Sequence, residues 1–270
     1  MSKAPFGRRL LRVTGMDELG AYRVLRVADP DGPEPEPGQF AMLTTAERWG
    51  AGENERPYLA RAFSFARWRD GQAHYLLEDV GPGTKRLCEL SAGEEVWTLG
   101  PLGQGFTAPG RVGPHPRRAI LVGGGVGIAP LAILQDALEC EVTVLLGFRD
   151  GARAVGAALL DGAQVATDDG SAGYHGLVTD LLAAELQRDP AAVVYSCGPA
   201  GMLEGVRAMC AQSGTPAQLA LEAGMACGFG ACFGCVVPRH GGGYLRVCVD
   251  GPVIDAAELD VVEEHNGAPA

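Results

Sequence analysis

Four cysteines in the last quarter of the chain are spaced so that their thiolates could bind metal. Cys227, Cys232 and Cys235 form a C-x4-C-x2-C run, and Cys248 follows after a short hydrophobic stretch. This is the plant-type spacing for a [2Fe–2S] cluster, in which four thiolates complete the tetrahedra of two irons. The glycines between these cysteines let the backbone approach the sulfides closely. The segment therefore predicts a centre that carries one electron at a time.

A zinc ribbon, a disulfide framework and buried thiols are the alternatives for these cysteines. Zinc ribbons usually have two C-x2-C-like knuckles, whereas this segment has one, at Cys232 and Cys235. The pattern favours the cluster and leaves zinc as the main alternative. The remaining cysteines are scattered in apolar or glycine-rich surroundings, at Cys88, Cys140, Cys197 and Cys210.

Length and composition limit the class of protein. The 270 residues predict about two domains or three small ones, and 47% hydrophobic with 20% charged residues is ordinary for a globular protein. The net charge of −11 argues against a nucleic-acid partner. No apolar run approaches the ~20 residues needed to span a bilayer, and no signal-peptide core follows Arg8-Arg9. Because cysteines with a cluster motif fit a reducing compartment, we expect a cytoplasmic protein without membrane contact.

The first hundred residues contain short strand-like segments separated by glycine and proline. No long helical pattern interrupts them, which favours an antiparallel barrel or sandwich. The predicted strands cover residues 10–13, 21–27, 39–44, 61–66, 73–77 and 94–99.

Three segments of this region could do chemistry. Arg61 and Ser64 share a strand, where they could bind a diphosphate and a flavin oxygen, although a solvated Arg beside a core strand is the commoner case. Residues 81–87 could be a hairpin turn into a short helix capped by Thr84, or an anion-binding turn. Residues 100–106 are rich in glycine and predict a loop that closes the domain.

The pattern changes after a breaker-rich connector at residues 109–116. Strand-like and helical segments then alternate, which predicts a parallel sheet covered by helices, the nucleotide-binding α/β type. The predicted strands cover residues 118–122, 141–148, 164–167 and 192–196.

A glycine-rich loop follows the first of these strands and opens a helix. Gly123, Gly124, Gly125 and Gly127 stand where a phosphate cradle would lie, with Pro130 in place of the third glycine of the usual fingerprint. A structural turn is the alternative. Two later segments also fall at carboxyl ends of strands, the edge at which open α/β sheets bind ligands. They contain Asp168 and the run Cys197-Gly198-Pro199.

The order of these motifs resembles the ferredoxin–NADP reductase superfamily. R-x-[FY]-S, G-x-G-T and G-P-L-G-x-G-F are similar to elements of its flavin barrel. G-G-G-x-G-x-x-P, D-D-G-S and C-G-P are similar to elements of its pyridine-nucleotide domain. The segment from Glu222 to Pro252, with its four cysteines, resembles the electron transfer subunits of class 1B dihydroorotate dehydrogenases. The resemblance covers nearly the whole chain and is most specific in this last segment.

The resemblance implies bound FAD, NAD and a [2Fe–2S] cluster. It implies a cluster on Cys227, Cys232, Cys235 and Cys248 and a catalytic role for Cys197 beside the nicotinamide. The implied FAD contacts are Arg61, Ala62, Phe63, Ser64, Leu76, Leu77, Glu78, Gly83 and Thr84. The implied NAD contacts are Gly123, Gly124, Gly125, Gly127, Pro130, Asp168, Gly198 and Pro199.

The chain departs from the family pattern at three of the implied FAD contacts. Ala62-Phe63 replaces the Pro-Ile common after this Arg, and Glu78 stands where a basic residue is frequent. The resemblance favours NAD over NADP, although Arg149 could meet a 2′-phosphate.

The resemblance also implies domains and a partner. We expect an FAD barrel at residues 1–110, an NAD domain at 111–215 and a cluster domain at 216–270. The implied partner is an FMN-containing dihydroorotate dehydrogenase catalytic subunit, in a heterotetramer with two of each chain. Electrons would pass from its FMN through the cluster and FAD to NAD+, in pyrimidine biosynthesis. A sulfide dehydrogenase or ferredoxin:NADP transhydrogenase subunit, and a zinc-stabilised nucleotide-binding module, are the rival hypotheses.

Overall fold

The computed structural model describes residues 7–47, 49, 59–112 and 118–260. Its first part is a closed antiparallel barrel with strand order β1-β2-β5-β4-β3-β6. The strand pattern alone is compatible with a barrel or a sandwich, and the strand pairing confirms the barrel that the resemblance implies. The strands are β1 (Arg8–Leu19), β2 (Tyr22–Ala28), β3 (Phe40–Thr45), β4 (Arg61–Arg69), β5 (Gln72–Glu78) and β6 (Glu95–Leu102).

Alternating side chains explain why these segments form a barrel. Along β6 the burial alternates strictly, so that Val96, Thr98 and Leu102 are buried while Glu95 is exposed. This period of two places apolar side chains inside and polar ones outside. A short helix, α1 (Pro82–Cys88), lies between β5 and β6 and buries Leu87 in the barrel core.

The second part is a seven-stranded sheet with helices on its faces. Its order is β10-β9-β8-β7-β11-β12-β15, parallel except for β15, which runs antiparallel to β12. Its strands are β7 (Arg118–Gly124), β8 (Glu141–Phe148), β9 (Gln164–Thr167), β10 (Tyr174–His175), β11 (Ala192–Cys197), β12 (Ala217–Ala220) and β15 (Val253–Asp255). The helices are α2 (Pro109–Val112), α3 (Ala129–Ala137), α4 (Gly151–Ala154), α5 (Val178–Arg188) and α6 (Ala200–Ser213).

The cysteine-rich segment forms a small unit built around a two-stranded hairpin. Its strands are β13 (Val236–Pro238) and β14 (Tyr244–Arg246). The unit shares one apolar core with both larger parts: Val247 and Cys248 lie in the same cluster as Met42 of the barrel and Val194 of the sheet. The three parts are therefore packed together rather than strung along a linker.

The predicted fold class is confirmed, with differences at the edges of elements. Residues 100–102 continue β6, so the predicted closing loop is shorter than expected. Helix α1 begins at Pro82, so the proposal that Thr84 caps it is wrong; Thr84 is the third residue of the helix. The start of the predicted connector is helix α2, and residues 113–117 lie outside the described residues.

The predicted domain boundaries stay a prediction. The expected division at residue 215 falls just before β12, which pairs with β11 inside the sheet. Strand β15 belongs to the predicted cluster domain, yet it is the edge strand of the same sheet, next to β12. Within the described part of the chain, no helix has both the length and the apolar character needed to cross a membrane.

Candidate electron-transfer centre

The four predicted cluster cysteines lie on one loop and on the turn after β14, where Cys235 and Cys248 come together, although no group of three ligating side chains among the described residues is arranged to hold a metal ion. The Sγ atoms of Cys235 and Cys248 are 3.2 Å apart and both side chains are buried, whereas Cys232 is exposed. The backbone N–H of Gly230 donates to Cys248 Sγ at 3.2 Å, and that of Gly234 to Cys232 Sγ at 3.5 Å. Amide hydrogen bonds to the cysteine sulfurs stabilise the thiolate ligands that a cluster needs.

The backbone around Cys227 favours the thiolate form of its side chain. Burial opposes its ionisation, but the backbone N–H groups of Phe229, Cys232 and Ala231 donate to its Sγ, and together they lower its pKa to about 6. Cys248 shows the opposite case, because burial and the adjacent Cys235 thiol raise its pKa. Bound iron would compensate that buried charge. The donor set therefore fits a cluster.

The cluster loop lies directly against the barrel. Gly228 has a positive φ of 79°, and a Cβ there would lie 2.6 Å from Met42 Cγ. Met42 belongs to β3 and pairs with Ala62 of β4. The loop thus contacts the strand next to the predicted flavin strand, and only glycine fits at that contact.

Two of the predicted flavin residues, Arg61 and Gly83, lie against each other where β4 and α1 begin. A Cβ on Gly83 would lie 2.8 Å from Nε of Arg61, so the guanidinium lies over the first turn of α1. The N–H groups of a helix's first turn have no intrahelical partner, and a cation beside them makes an anion site. This donor set fits the diphosphate of FAD. The Arg61 guanidinium also lies 5.9 Å from the ring centre of Trp49.

The side chain of Thr84 is already used by the turn before α1. Its Oγ1 accepts from the N–H groups of Gly81 at 2.9 Å and Val80 at 3.0 Å, and donates to the Gly81 carbonyl at 3.0 Å. Any contact between Thr84 and a phosphate would therefore use its backbone N–H.

The other predicted flavin contacts lie on β4 and at the end of β5. Ala62 is exposed, and Phe63 and Ser64 are half-buried. Leu76 and Leu77 are buried on opposite sides, Leu77 in the barrel core and Leu76 toward the α/β domain. The contacts of these residues with FAD stay a prediction.

Replacing Arg61 by glutamine should weaken FAD binding, because the uncharged amide no longer balances a diphosphate beside α1. We expect the dissociation constant for FAD to rise about 10- to 100-fold, measured by fluorescence of released flavin after dilution. Arg12→Gln, on the exposed side of β1, is the matched control. Equal FAD retention in both variants would contradict the assignment of Arg61.

The predicted nucleotide loops also meet. Gly123 and Cys197 are partners in the β7–β11 ladder, so both loops leave the sheet side by side. A Cβ on Gly127 would lie 2.6 Å from the carbonyl oxygen of Cys197, and one on Gly124 would lie 2.9 Å from Cδ of Pro199. Gly125 has a φ of 55° and open space around it. A cradle without side chains at the start of α3 fits a nucleotide diphosphate.

Pro130 and Asp168 take the positions that the sequence predicts for them. Pro130 is the second residue of α3, where its missing N–H costs no hydrogen bond. Asp168 is exposed immediately after β9, and its N–H donates to the Phe148 carbonyl at 3.0 Å. It therefore lies at the carboxyl edge of the sheet with the glycine loop.

Cys197 lies at the junction of the three parts of the molecule. It is buried against Ala220 of β12 and Val253 of β15, with Phe106 of the barrel packed on the same cluster. Burial, with the nearby Glu222 carboxylate, raises its pKa well above the ordinary value. Its side chain is thus a neutral thiol. Its predicted catalytic role stays a prediction.

Sequence reasoning missed several residues that shape this centre. Met42 and Leu102 support the cluster loop, and Arg153 of α4 reaches across to Glu78 of the barrel. No local pattern marks them, because each matters only through a contact with a distant segment.

Comparison with known proteins identifies relatives of the whole chain and of its cysteine-rich segment. Residues 222–260 match the family model described as the iron–sulfur cluster binding domain of dihydroorotate dehydrogenase B. The chain is similar to the dihydroorotate dehydrogenase B (NAD(+)) electron transfer subunit of Geobacillus thermodenitrificans, with 39% identity over 83% of this chain and 86% of the relative. The corresponding, probable subunit of Methanopyrus kandleri is 35% identical over 84% of this chain and 82% of the relative.

Solved structures show the same architecture. A structure described as an NADH-dependent reduced ferredoxin-NADP oxidoreductase, studied for flavin-based electron bifurcation, superposes with a TM-score of 0.77 at 26% identity, covering 94% of this chain and 91% of that one. A ferredoxin NADP+ reductase from Neisseria gonorrhoeae with bound FAD and NADP superposes with a TM-score of 0.60 at 16% identity, covering 78% and 93%. The second likeness shows the fold alone.

Proposed function

The chain belongs to the electron transfer subunits of NAD(+)-dependent dihydroorotate dehydrogenase B, and from that membership we propose that it connects dihydroorotate oxidation on a partner subunit to NAD+ reduction. It is an oxidoreductase component with FAD, [2Fe–2S] and NAD as its cofactors. A bound flavin exchanges electrons singly with an iron–sulfur centre and in pairs with nicotinamide, which is why such a chain needs all three.

A different set of residues binds each of the three cofactors. Cys227, Cys232, Cys235 and Cys248 hold the cluster. Arg61 and the first turn of α1 bind the diphosphate of FAD, and β4 and the end of β5 position the rest. The glycine loop before α3 binds the diphosphate of NAD, and the neutral thiol of Cys197 closes the nicotinamide pocket without adding a charge.

One contact supports this order of cofactors more than any other. Gly228 of the cluster loop packs on Met42, the ladder partner of Ala62 in the flavin strand. A cluster on this loop and a flavin on that strand would share one wall of the barrel. Such proximity favours electron exchange between them within this chain.

The partner is an FMN-containing catalytic subunit, in an assembly with two of each chain. The name of the relatives, electron transfer subunit, supports a separate catalytic chain. We also propose a cytoplasmic location. None of the eight cysteines, all of which lie in the described residues, forms a disulfide, which favours a reducing compartment.

Co-purification with an FMN-containing dihydroorotate dehydrogenase tests the proposal. We expect a brown-yellow complex that reduces NAD+ when dihydroorotate is added, measured at the NADH absorbance band. The rival family assignments give different outcomes. Reduction of NADP+ by ferredoxin without any response to dihydroorotate would favour a transhydrogenase subunit, and a colourless zinc protein would overturn the cofactor assignment.

A further inference from the structure

An ion pair joins the barrel to the α/β domain beside the predicted flavin contacts. Arg153 of α4 donates through Nε to Glu78 Oε1 at 2.9 Å, and its second terminal nitrogen lies 2.9 Å from the same oxygen. Its other terminal nitrogen donates to Asp150 Oδ2 at 2.6 Å. One guanidinium therefore bridges two carboxylates from two parts of the molecule.

Both ends of this bridge are firmly held. Asp150 caps α4, where its Oδ1 accepts from the N–H of Arg153 at 3.0 Å. This backbone hydrogen bond, together with the hydrogen bond from the Arg153 guanidinium, lowers the pKa of Asp150. Glu78 is the last residue of β5 and pairs with Tyr22 in the ladder. The exposed fractions of the Arg153 and Glu78 side chains are 31% and 19%, so solvent screens the pair only in part.

The surrounding interface is tight on both sides. The N–H of Ala21 donates to the Ala152 carbonyl at 3.1 Å. A Cβ on Gly20 would lie 2.2 Å from that carbonyl oxygen, and one on Gly156 would lie 2.8 Å from the ring of Tyr22. The ring packs in one core with Ile128, which follows the glycine loop. A movement of Arg153 or Glu78 would therefore be transmitted through the Tyr22 ring and Ile128 to the glycine loop that is predicted to bind the nucleotide.

The cation that neutralises Glu78 comes from the other domain, because its partner is Arg153 of α4. A carboxylate at the flavin end of β5 is unfavourable near a diphosphate unless a cation neutralises it. Arg153 does so while tying the two domains together.

We propose that Arg153 is a positioning residue, which holds the flavin end of β5 at a fixed place against the nucleotide-binding edge of the α/β sheet through its bridge between Glu78 and Asp150. The role in electron exchange between nicotinamide and flavin rests on the proposed function, whereas the bridge itself does not. Loss of either partner should loosen the interface and misalign the two rings.

The test compares Glu78→Gln, Arg153→Gln and the double variant, each in the full chain. Glu204→Gln is the matched control, because its pair with Arg207 has similar exposure but lies within α6. Hydrogen exchange at the Ala21 amide reports the interface directly, with the Val194 amide, bonded to Pro216 inside the α/β domain, as reference. Steady-state NADH oxidation by ferricyanide reports the alignment.

We expect the Ala21 amide to exchange about tenfold faster in all three variants, with Val194 unchanged. The kcat should fall about tenfold while KM for NADH changes less than about twofold, and the double variant should be no worse than either single one. Unchanged exchange at Ala21, or faster exchange with an unchanged kcat, would overturn the positioning role. Failure of the proposed function would appear in a separate measurement: the wild-type complex would not reduce NAD+ when dihydroorotate is added.

Discussion

Replacing Cys232 by serine is expected to abolish dihydroorotate-dependent NAD+ reduction while leaving NADH oxidation by ferricyanide nearly unchanged. Cys232 is the exposed member of the four cysteines, and its Sγ accepts the Gly234 N–H at 3.5 Å. The substitution therefore keeps the fold but replaces a thiolate by a weak oxygen ligand. We expect coupled turnover to fall about 100-fold or more.

The measurement compares both activities with iron and acid-labile sulfide content in the same preparation. Cys140→Ser is the matched control, since Cys140 is half-buried and lies outside the cluster segment. It should keep the full iron content and both activities. Normal coupled turnover in the Cys232 variant would remove the cluster from the route between the partner and NAD+.

Much of the fold follows from local sequence patterns. All six barrel strands and four strands of the parallel sheet occupy segments that alternation and turn residues predict, and β8 and β9 agree to the residue. Local patterns do not specify which strands meet at a distance. The closing pair of β1 with β6 and the addition of β15 to the sheet depend on such long-range pairing.

The candidate site shows the same division. The run Cys197-Gly198-Pro199 and the glycine loop are predictable as neighbours, because both follow parallel strands and the carboxyl ends of these strands share one edge. The contact of Gly228 with Met42 and the bridge of Arg153 are not predictable in this way. Both join segments far apart in the chain, and their residue types are ordinary for a core or a helix surface.

Replacing Gly127 by alanine is expected to have the second-largest effect, on nucleotide binding. The added Cβ would lie 2.6 Å from the carbonyl oxygen of Cys197 and 2.7 Å from Cα of Gly198. These neighbours are backbone atoms, which cannot rotate away, so the two nucleotide loops must separate. Because phosphate binding depends on their spacing, we expect kcat/KM for NADH to fall about 10- to 100-fold, at a cost of about 1–3 kcal/mol in unfolding free energy.

A neighbouring glycine separates this effect from the general cost of adding a methyl group. Gly201, in the first turn of α6, has open space where its Cβ would lie. Alanine is the better helix former, so Gly201→Ala should keep kcat/KM and raise the unfolding free energy by about 0.5–1 kcal/mol. Urea unfolding and NADH titration measure the two quantities independently. If Gly127→Ala lost stability but kept its affinity for NADH, the loop spacing would serve only packing, and the nucleotide cradle would have to lie elsewhere on the sheet edge.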